Sequence, residues 1–104
     1  MNLCSFTGYL TEDPKLSNLN GVSLVEFTLV VYSYRKTKST GEKSRIPTFI
    51  NCEAWHTGGE TINKFARKGS KLHIHASAKN PSKGQREIIF RVNEFDFANS
   101  LEEE

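Results

Sequence analysis

The sequence VSLVEFTLVVYSYR, residues 22–35, decides the fold of this chain. It is rich in Val, Phe, Leu and Tyr, which favour β-strands, and it is long for a single strand. This length is typical of a strongly bent strand that is shared by the two halves of a small barrel. Residues 47–55, PTFINCEAW, alternate between two kinds of side chain and predict the next strand.

The other predicted elements lie on either side of this pair: a first strand at 3–10, a short helix at 60–68, and two final strands at 72–79 and 87–97. The order is therefore three strands, a helix and two strands. It predicts an all-β chain with one short helix, folded as a five-stranded OB-fold Greek-key barrel with the helix between strands 3 and 4.

Turn-forming residues separate these elements. Asn20-Gly21 is typical of a tight turn, and Gly58-Gly59 predicts a turn from strand to helix. Residues 36–45 are polar and basic, which predicts an exposed loop, and residues 80–84, NPSKG, predict a hairpin loop.

Length and charge indicate one basic domain. The 104 residues suffice for one hydrophobic core, and we expect that domain at 1–98, followed by a short disordered acidic tail at 99–104.

The charges are distributed unevenly along the chain. Residues 1–93 contain all 14 Lys and Arg but only 7 of the 12 acidic residues, so their net charge is 14 − 7 = +7. A basic body predicts a polyanionic partner, either a nucleic acid or an anionic membrane.

The N-terminus has neither a secretory signal nor an apolar stretch long enough to span a bilayer, so we expect a soluble cytoplasmic protein. The two cysteines are too few for a disulfide framework and are expected to act as small apolar side chains.

The alternation of side chains divides each strand into two faces. In residues 47–55, Phe49 and Trp55 share a face with polar residues. In residues 22–35, Tyr32 and Tyr34 share the face opposite the apolar set. Single aromatics of this kind can also belong to a core, but their common parity favours an exposed aromatic surface.

Cations accompany these aromatics. Phosphate contacts are expected from Arg35, Lys36, Lys38, Lys43, Arg45, Lys71 and Lys79. Further contacts with the nucleic acid are expected from His73 on the fourth strand and from Lys83 and Arg86 near the last hairpin. Rings interleaved with cations suit single-stranded DNA, whose unstacked bases lie on rings while its phosphates meet positive charge. This pattern predicts binding with little sequence preference.

The chain resembles the bacterial-type single-stranded DNA-binding proteins from residue 1 to about residue 97. The matching segments are 8–16 (GYLTEDPKL), Asn20-Gly21, 27–29 (FTL), 40–42 (TGE), 49–55 (FINCEAW) and 65–70 (FARKGS). By this resemblance Phe49 and Trp55 occupy positions of stacking aromatics, and Tyr34 falls one residue from a third.

The resemblance also implies a homo-oligomer, tetramer or dimer, that protects single-stranded DNA in replication, recombination and repair and is associated with the nucleoid. Three departures qualify it. The hairpin at 80–84 is short and lacks an aromatic, Ile50 replaces a histidine near subunit contacts, and the acidic end lacks the final Pro-Phe that recruits replication and repair proteins.

Other functions are less well supported by the residues. The sequence contains no Gly-rich phosphate loop, no nucleophile elbow and no paired carboxylates. We therefore expect neither an enzyme nor a cofactor. Cys4, Cys52, His56, His73 and His75 match no closed zinc pattern, so no metal is expected. The alternatives are a dimeric primosome-type OB-fold protein that binds DNA and a helicase partner, and an OB module that binds only protein.

Overall fold

The computed structural model of the chain describes residues 1–98. Its elements in chain order are β1 (Cys4–Leu10), β2 (Lys15–Leu19), β3 (Val22–Lys36), β4 (Lys43–Trp55), α1 (His56–Phe65), β5 (Lys71–Lys79) and β6 (Ile89–Phe97). The predicted tail at 99–104 lies outside the described residues. No helix within residues 1–98 has the length and apolarity needed to span a bilayer.

Five of the strands close into a barrel. The sheet has the order β1-β5-β6-β4-β3-β2, and β1 also pairs with β3 at Tyr9–Val30 and Leu10–Leu29, which joins the two sides of the sheet. Only the β4–β6 pairing is parallel among those in residues 1–98. The predicted OB barrel is confirmed, with its helix between the third and fourth barrel strands.

The core consists of alternate residues from each strand. Val25, Phe27 and Leu29 of β3 are buried, and their partners on β4 are also buried. Ile62 of α1 is fully buried in the same cluster. These residues belong to the predicted inward faces, because burying one apolar side of each strand removes the largest apolar area from water.

β2 was not predicted. It forms a hairpin with β3 through the Asn20-Gly21 turn, where both residues have positive φ, 53° and 84°. All five residues of β2 are exposed, so its sequence lacks the alternation that marks a half-buried strand. Its pairing to β3 supplies the backbone hydrogen bonds that the side chains do not signal.

The predicted loop at 36–45 is too long by one residue at its start and three at its end. The β3–β4 ladder continues to the pair Lys36–Lys43, and only residues 37–42 form the turn. The amide of Thr37 donates to the Glu42 carbonyl at 2.8 Å. The two strands thus project beyond the barrel as a hairpin arm (33–46), whose two faces both contact water, which explains its polar sequence.

The predicted bounds of the helix and the last strand are also wrong. The helix begins at His56, four residues early, so Gly58 and Gly59 lie in its first turn and do not form the predicted strand-to-helix turn. A Cβ built on Gly59 would lie 2.4 Å from the Ala54 carbonyl oxygen, whereas one on Gly58 would meet nothing closer than 3.6 Å. β6 begins at Ile89, which lengthens the last loop to 80–88.

We expect Gly59→Ala to lower the free energy of unfolding by about 1–3 kcal/mol, because backbone atoms of Ala54 occupy the position of the new methyl group. Gly58→Ala is the matched control, and it should be neutral or stabilising by up to about 1 kcal/mol, since alanine favours the helix. Urea denaturation measures both. Equal effects of the two substitutions would contradict the close packing of α1 on β4.

Candidate nucleic-acid interface

One row of side chains crosses the outer face of four strands. Lys71 of β5 pairs with Tyr9 of β1, Tyr9 with Val30 of β3, and Val30 with Phe49 of β4. Paired residues in a sheet point to the same side, so these four side chains are neighbours. Within this row, the side chain of Val30 is buried, whereas that of Phe49 is 64% exposed.

The same face continues along the hairpin arm. Tyr34, which is 69% exposed, pairs with Arg45, and Lys36 pairs with Lys43. We call this continuous outer face the arm surface; it comprises Tyr9, Tyr32, Tyr34, Lys36, Lys43, Arg45, Phe49 and Lys71. The predicted common parity of Tyr32, Tyr34 and Phe49 is confirmed, and Phe49 does not belong to the core.

Rings and cations of the arm surface contact each other. The guanidinium carbon of Arg45 lies 4.0 Å from the centre of the Tyr32 ring, and the rings of Tyr32 and Tyr9 are 6.4 Å apart. The Lys71 ammonium lies 5.7 Å from the Tyr9 ring. None of the four cations of this surface forms an ion pair within residues 1–98. Their charge is therefore available to an anionic ligand.

Other predicted phosphate contacts lie apart from this surface. Arg35 occupies the opposite face of the arm from Tyr34, by alternation. Lys38 lies in the turn of the arm, and Lys83 and Arg86 lie in the loop at 80–88. His73 is nearer to the arm surface: it lies two residues from Lys71 on the outer face of β5, where it contacts the Thr7 hydroxyl.

Trp55 and Lys79 belong to a second cluster, which is organised by a buried carboxylate. Glu53 is only 6% exposed, and its Oε2 accepts hydrogen bonds from Trp55 Nε1 at 3.0 Å, Lys79 Nζ at 3.2 Å and Arg91 Nε at 3.0 Å. We call these four residues the Glu53 cluster. Its two cations have one counter-charge between them, so the cluster retains a net charge of +1.

The pKa of Glu53 reflects two opposing effects. Burial acts to raise it, while the hydrogen bonds from Trp55, Arg91 and Lys79 together hold the pKa of this carboxyl below its usual value of 4.5. Glu53 is therefore charged at neutral pH, and it fixes the indole and both cations.

Three residues of these surfaces were not predicted as site residues: Tyr9, Glu53 and Arg91. Tyr9 lies on the outward parity of β1, a signal present in the sequence, but its place beside Tyr32 depends on the β1–β3 pairing. Arg91 reaches Glu53 because β6 pairs in parallel with β4 at Glu53–Arg91. No local pattern specifies a contact between residues so far apart in the chain.

The environment of Cys52 keeps its thiol unreactive. Cys52 is buried in the core, and burial raises the pKa of its thiol to about 12, so it stays protonated. No group of three His, Cys, Asp or Glu side chains within residues 1–98 is arranged to hold a metal ion.

We expect Glu53→Gln to lower the free energy of unfolding at neutral pH by about 1–3 kcal/mol, because it leaves two cations without their counter-charge. A lowered carboxyl pKa stabilises the fold above pH 4.5, and this contribution is lost as the pH falls through the folded-state pKa. The difference between the variant and the parent chain should therefore shrink below pH 4.5.

The matched control is Glu26→Gln, since Glu26 is exposed and pairs directly with Glu53. It should change the free energy of unfolding by no more than about 0.5 kcal/mol. Urea denaturation across the pH range measures both variants, and a Glu53→Gln penalty that is independent of pH would contradict the ion-pair interpretation.

Known proteins are similar to this chain in sequence and in fold. A model of the Single-strand binding protein family matches residues 1–92. The chain is 35% identical over 75 residues to a single-stranded DNA-binding protein of Enterococcus faecalis, covering 71% of this chain and 38% of that protein. It is also 35% identical over 77 residues to one of Fusobacterium nucleatum, covering 72% and 49%.

The barrel also matches the wild-type single-stranded DNA binding protein from Thermus aquaticus, with a TM-score of 0.78 and 15% identity over 96% of this chain and 51% of that one. A deletion mutant of the same protein gives a TM-score of 0.79 at 16% identity, with the same coverage of both chains. This likeness concerns the fold. The chain spans less than half the length of the two relatives compared by sequence. Since the family model covers nearly all of the described residues, this chain belongs to the single-strand binding protein family.

Proposed function

We propose that this chain binds single-stranded DNA with little preference for base sequence. The observation that carries the proposal is the arm surface, on which exposed rings alternate with cations that form no ion pair within residues 1–98. Membership of the family supports it, and the relatives are named for the same activity. The activity is binding alone, and the prediction that the chain is not an enzyme agrees with its family.

The aromatic and the cationic side chains of the arm surface contact different parts of the DNA. Bases stack on the exposed rings of Phe49 and Tyr34, and each stacked base contributes roughly 1–3 kcal/mol. Phosphates bind the cations of the arm, chiefly Lys36, Lys43 and Arg45. Every base has a π-face, so stacking gives affinity without selecting a sequence.

The same geometry favours single strands over duplexes. A ring that stands out from the sheet can stack only on a base whose own face is free, and in a duplex the base faces are covered by neighbouring pairs. The cations alone would bind either form, because phosphate contacts carry no sequence information. Protection of single strands exposed during replication, recombination and repair, in association with the nucleoid, is the cellular role that fits.

The chain is further proposed to act as a homo-oligomer, either a dimer or a tetramer. Residues 4–8 of β1 pair with β5 on one side, while β1 pairs with β3 only at Tyr9 and Leu10. The other edge of residues 4–8 is thus open within the described chain, and an open edge is a template for another strand. Leu3, which is exposed beside it, adds apolar surface.

We expect light scattering of the purified protein to give a mass of two or four chains of 11.8 kDa. The open edge of β1 leaves backbone donors and acceptors that a second copy would satisfy. A mass of one chain at all accessible concentrations would contradict the proposed oligomer without affecting DNA binding.

We expect Phe49→Ala to weaken binding to oligo(dT) by about 1–3 kcal/mol, since the variant loses a stacked base. Phe65→Ala is the matched control, because Phe65 is 63% exposed, as Phe49 is, but lies at the end of α1 outside the arm surface. Fluorescence anisotropy of labelled oligo(dT), with a labelled duplex of equal length for comparison, measures both.

Phe65→Ala should bind oligo(dT) with the affinity of the parent chain. The parent chain should bind oligo(dT) more tightly than the duplex when both are measured at the same salt concentration. Equal loss in the two variants would indicate a general effect on the fold. Dissociation constants of about 10⁻⁴ to 10⁻⁶ M at physiological salt are typical of non-specific binding by basic proteins. If the parent binds oligo(dT) and the duplex equally, with dissociation constants in this range, the proposed function is refuted.

A further inference from the structure

The ring of Tyr32 differs from the two most exposed rings of the arm surface. Tyr34 and Phe49 are 69% and 64% exposed, whereas Tyr32 is half-buried. One face of the Tyr32 ring is covered by Arg45, whose guanidinium carbon lies 4.0 Å from the ring centre. At this distance the guanidinium occupies the space in which a base would stack on that face.

The register of the arm explains the contact between Arg45 and Tyr32. Arg45 is the direct partner of Tyr34, and Pro47 is the direct partner of Tyr32, so Arg45 and Tyr32 are diagonal neighbours on one face. Diagonal neighbours in an antiparallel pair lie about 7–8 Å apart, within reach of a long side chain. The contact is therefore a consequence of the pairing of β3 with β4.

The Tyr32 ring is itself supported from the barrel. Tyr9 of β1 pairs with Val30, which precedes Tyr32 by two residues and lies on the same face. The centres of the Tyr9 and Tyr32 rings are 6.4 Å apart, with their planes inclined at 51°. This separation is within the range of about 4.5–7 Å at which aromatic pairs interact. Tyr32 is thus held against the barrel wall, and Arg45 is held through it.

Arg45 keeps its hydrogen-bonding capacity in this position. It forms no ion pair within residues 1–98, and a contact with the face of a ring uses none of its N–H donors. A guanidinium has five such donors in a planar fork that suits the oxygens of a phosphate. A side chain that is already held loses less conformational freedom when it binds a ligand, so the ring contact lowers the entropic cost of binding.

We infer that Tyr32 is a positioning residue, which does not stack on a base but holds Arg45 so that its guanidinium binds a phosphate of the DNA backbone. The inference rests on the proposed function, in which Arg45 is one of the cations that bind phosphates. The ring of Tyr32 therefore contributes to affinity only through Arg45. A ring that stacked on a base would contribute whether or not Arg45 was present.

The test is a double-mutant cycle between Tyr32 and Arg45, measured by fluorescence anisotropy of labelled oligo(dT). Tyr32→Leu removes the ring and should weaken binding about 2- to 10-fold, the loss expected when one long side chain is no longer held before it binds. In the Arg45→Gln background the same substitution should have no effect, because no guanidinium is left to position. Tyr32→Phe, which keeps the ring, should restore the parent affinity.

The matched control is Phe49→Ala, made in the parent chain and in the Arg45→Gln background. Phe49 lies on the same face of β4 as Arg45, four residues and therefore about 13 Å away along the strand. At this distance two independent contributions add, so Phe49→Ala should weaken binding equally in both backgrounds.

The salt dependence of binding checks the phosphate contact itself. Arg45→Gln should lower the slope of log affinity against log salt by about 0.7, the value for one phosphate on a single strand. Phe49→Ala should leave this slope unchanged, because stacking releases no counterion. An unchanged slope for Arg45→Gln overturns the inference.

The outcomes of the cycle separate the inference from the function on which it rests. An equal penalty for Tyr32→Leu in both backgrounds, or no penalty in the parent chain, overturns the positioning role and leaves DNA binding intact. If the parent chain does not bind oligo(dT), the proposed function is refuted and the inference with it. Thermal melting checks that each variant is folded, and Tyr32→Met, which also lacks a ring, gives an independent cycle.

Discussion

The register of the β3–β4 pair is the constraint on which the rest of the structure depends. The ladder runs without a shift from Leu24–Trp55 to Lys36–Lys43, through the barrel wall and out along the arm. A slip of one residue would turn every side chain of the strand to the opposite face. Burial of the partners Phe27 and Cys52 disfavours such a slip, because it would expose the core. The same register presents Phe49 and Tyr34 to the outside.

The barrel therefore separates stability from recognition along a single pair of strands. Residues of one parity fill the core, and residues of the other parity form the arm surface, so the interface contributes little to the core. The arm continues the two strands beyond the barrel, where both of its faces contact water. There the pairing of β3 with β4 depends on backbone hydrogen bonds. Such an interface can lose a ring such as Phe49 and still fold.

Glu53 is the charged exception to this separation among the described residues. It lies on the outward parity of β4, yet it is buried because Trp55, Lys79 and Arg91 converge on its carboxylate. A buried charge is costly unless it is fully hydrogen-bonded, so the three donors cannot move independently of it. This constraint fixes the indole and the guanidinium, whereas the rings of the arm are held only by neighbouring side chains.

The sequence by itself determined what depends on neighbouring residues: the strand alternation, the order of elements that specifies the barrel, and the outward parity of Phe49 and Tyr34. Tertiary structure decided what depends on distant ones. Gly59 allows the first turn of the helix to pack closely on the backbone of β4, and the exposed β2 forms only because β3 offers it an edge. Tyr9 and Arg91 reach their sites through barrel closure and the parallel β4–β6 pair, because contacts between distant segments exist only once the sheet has closed on itself.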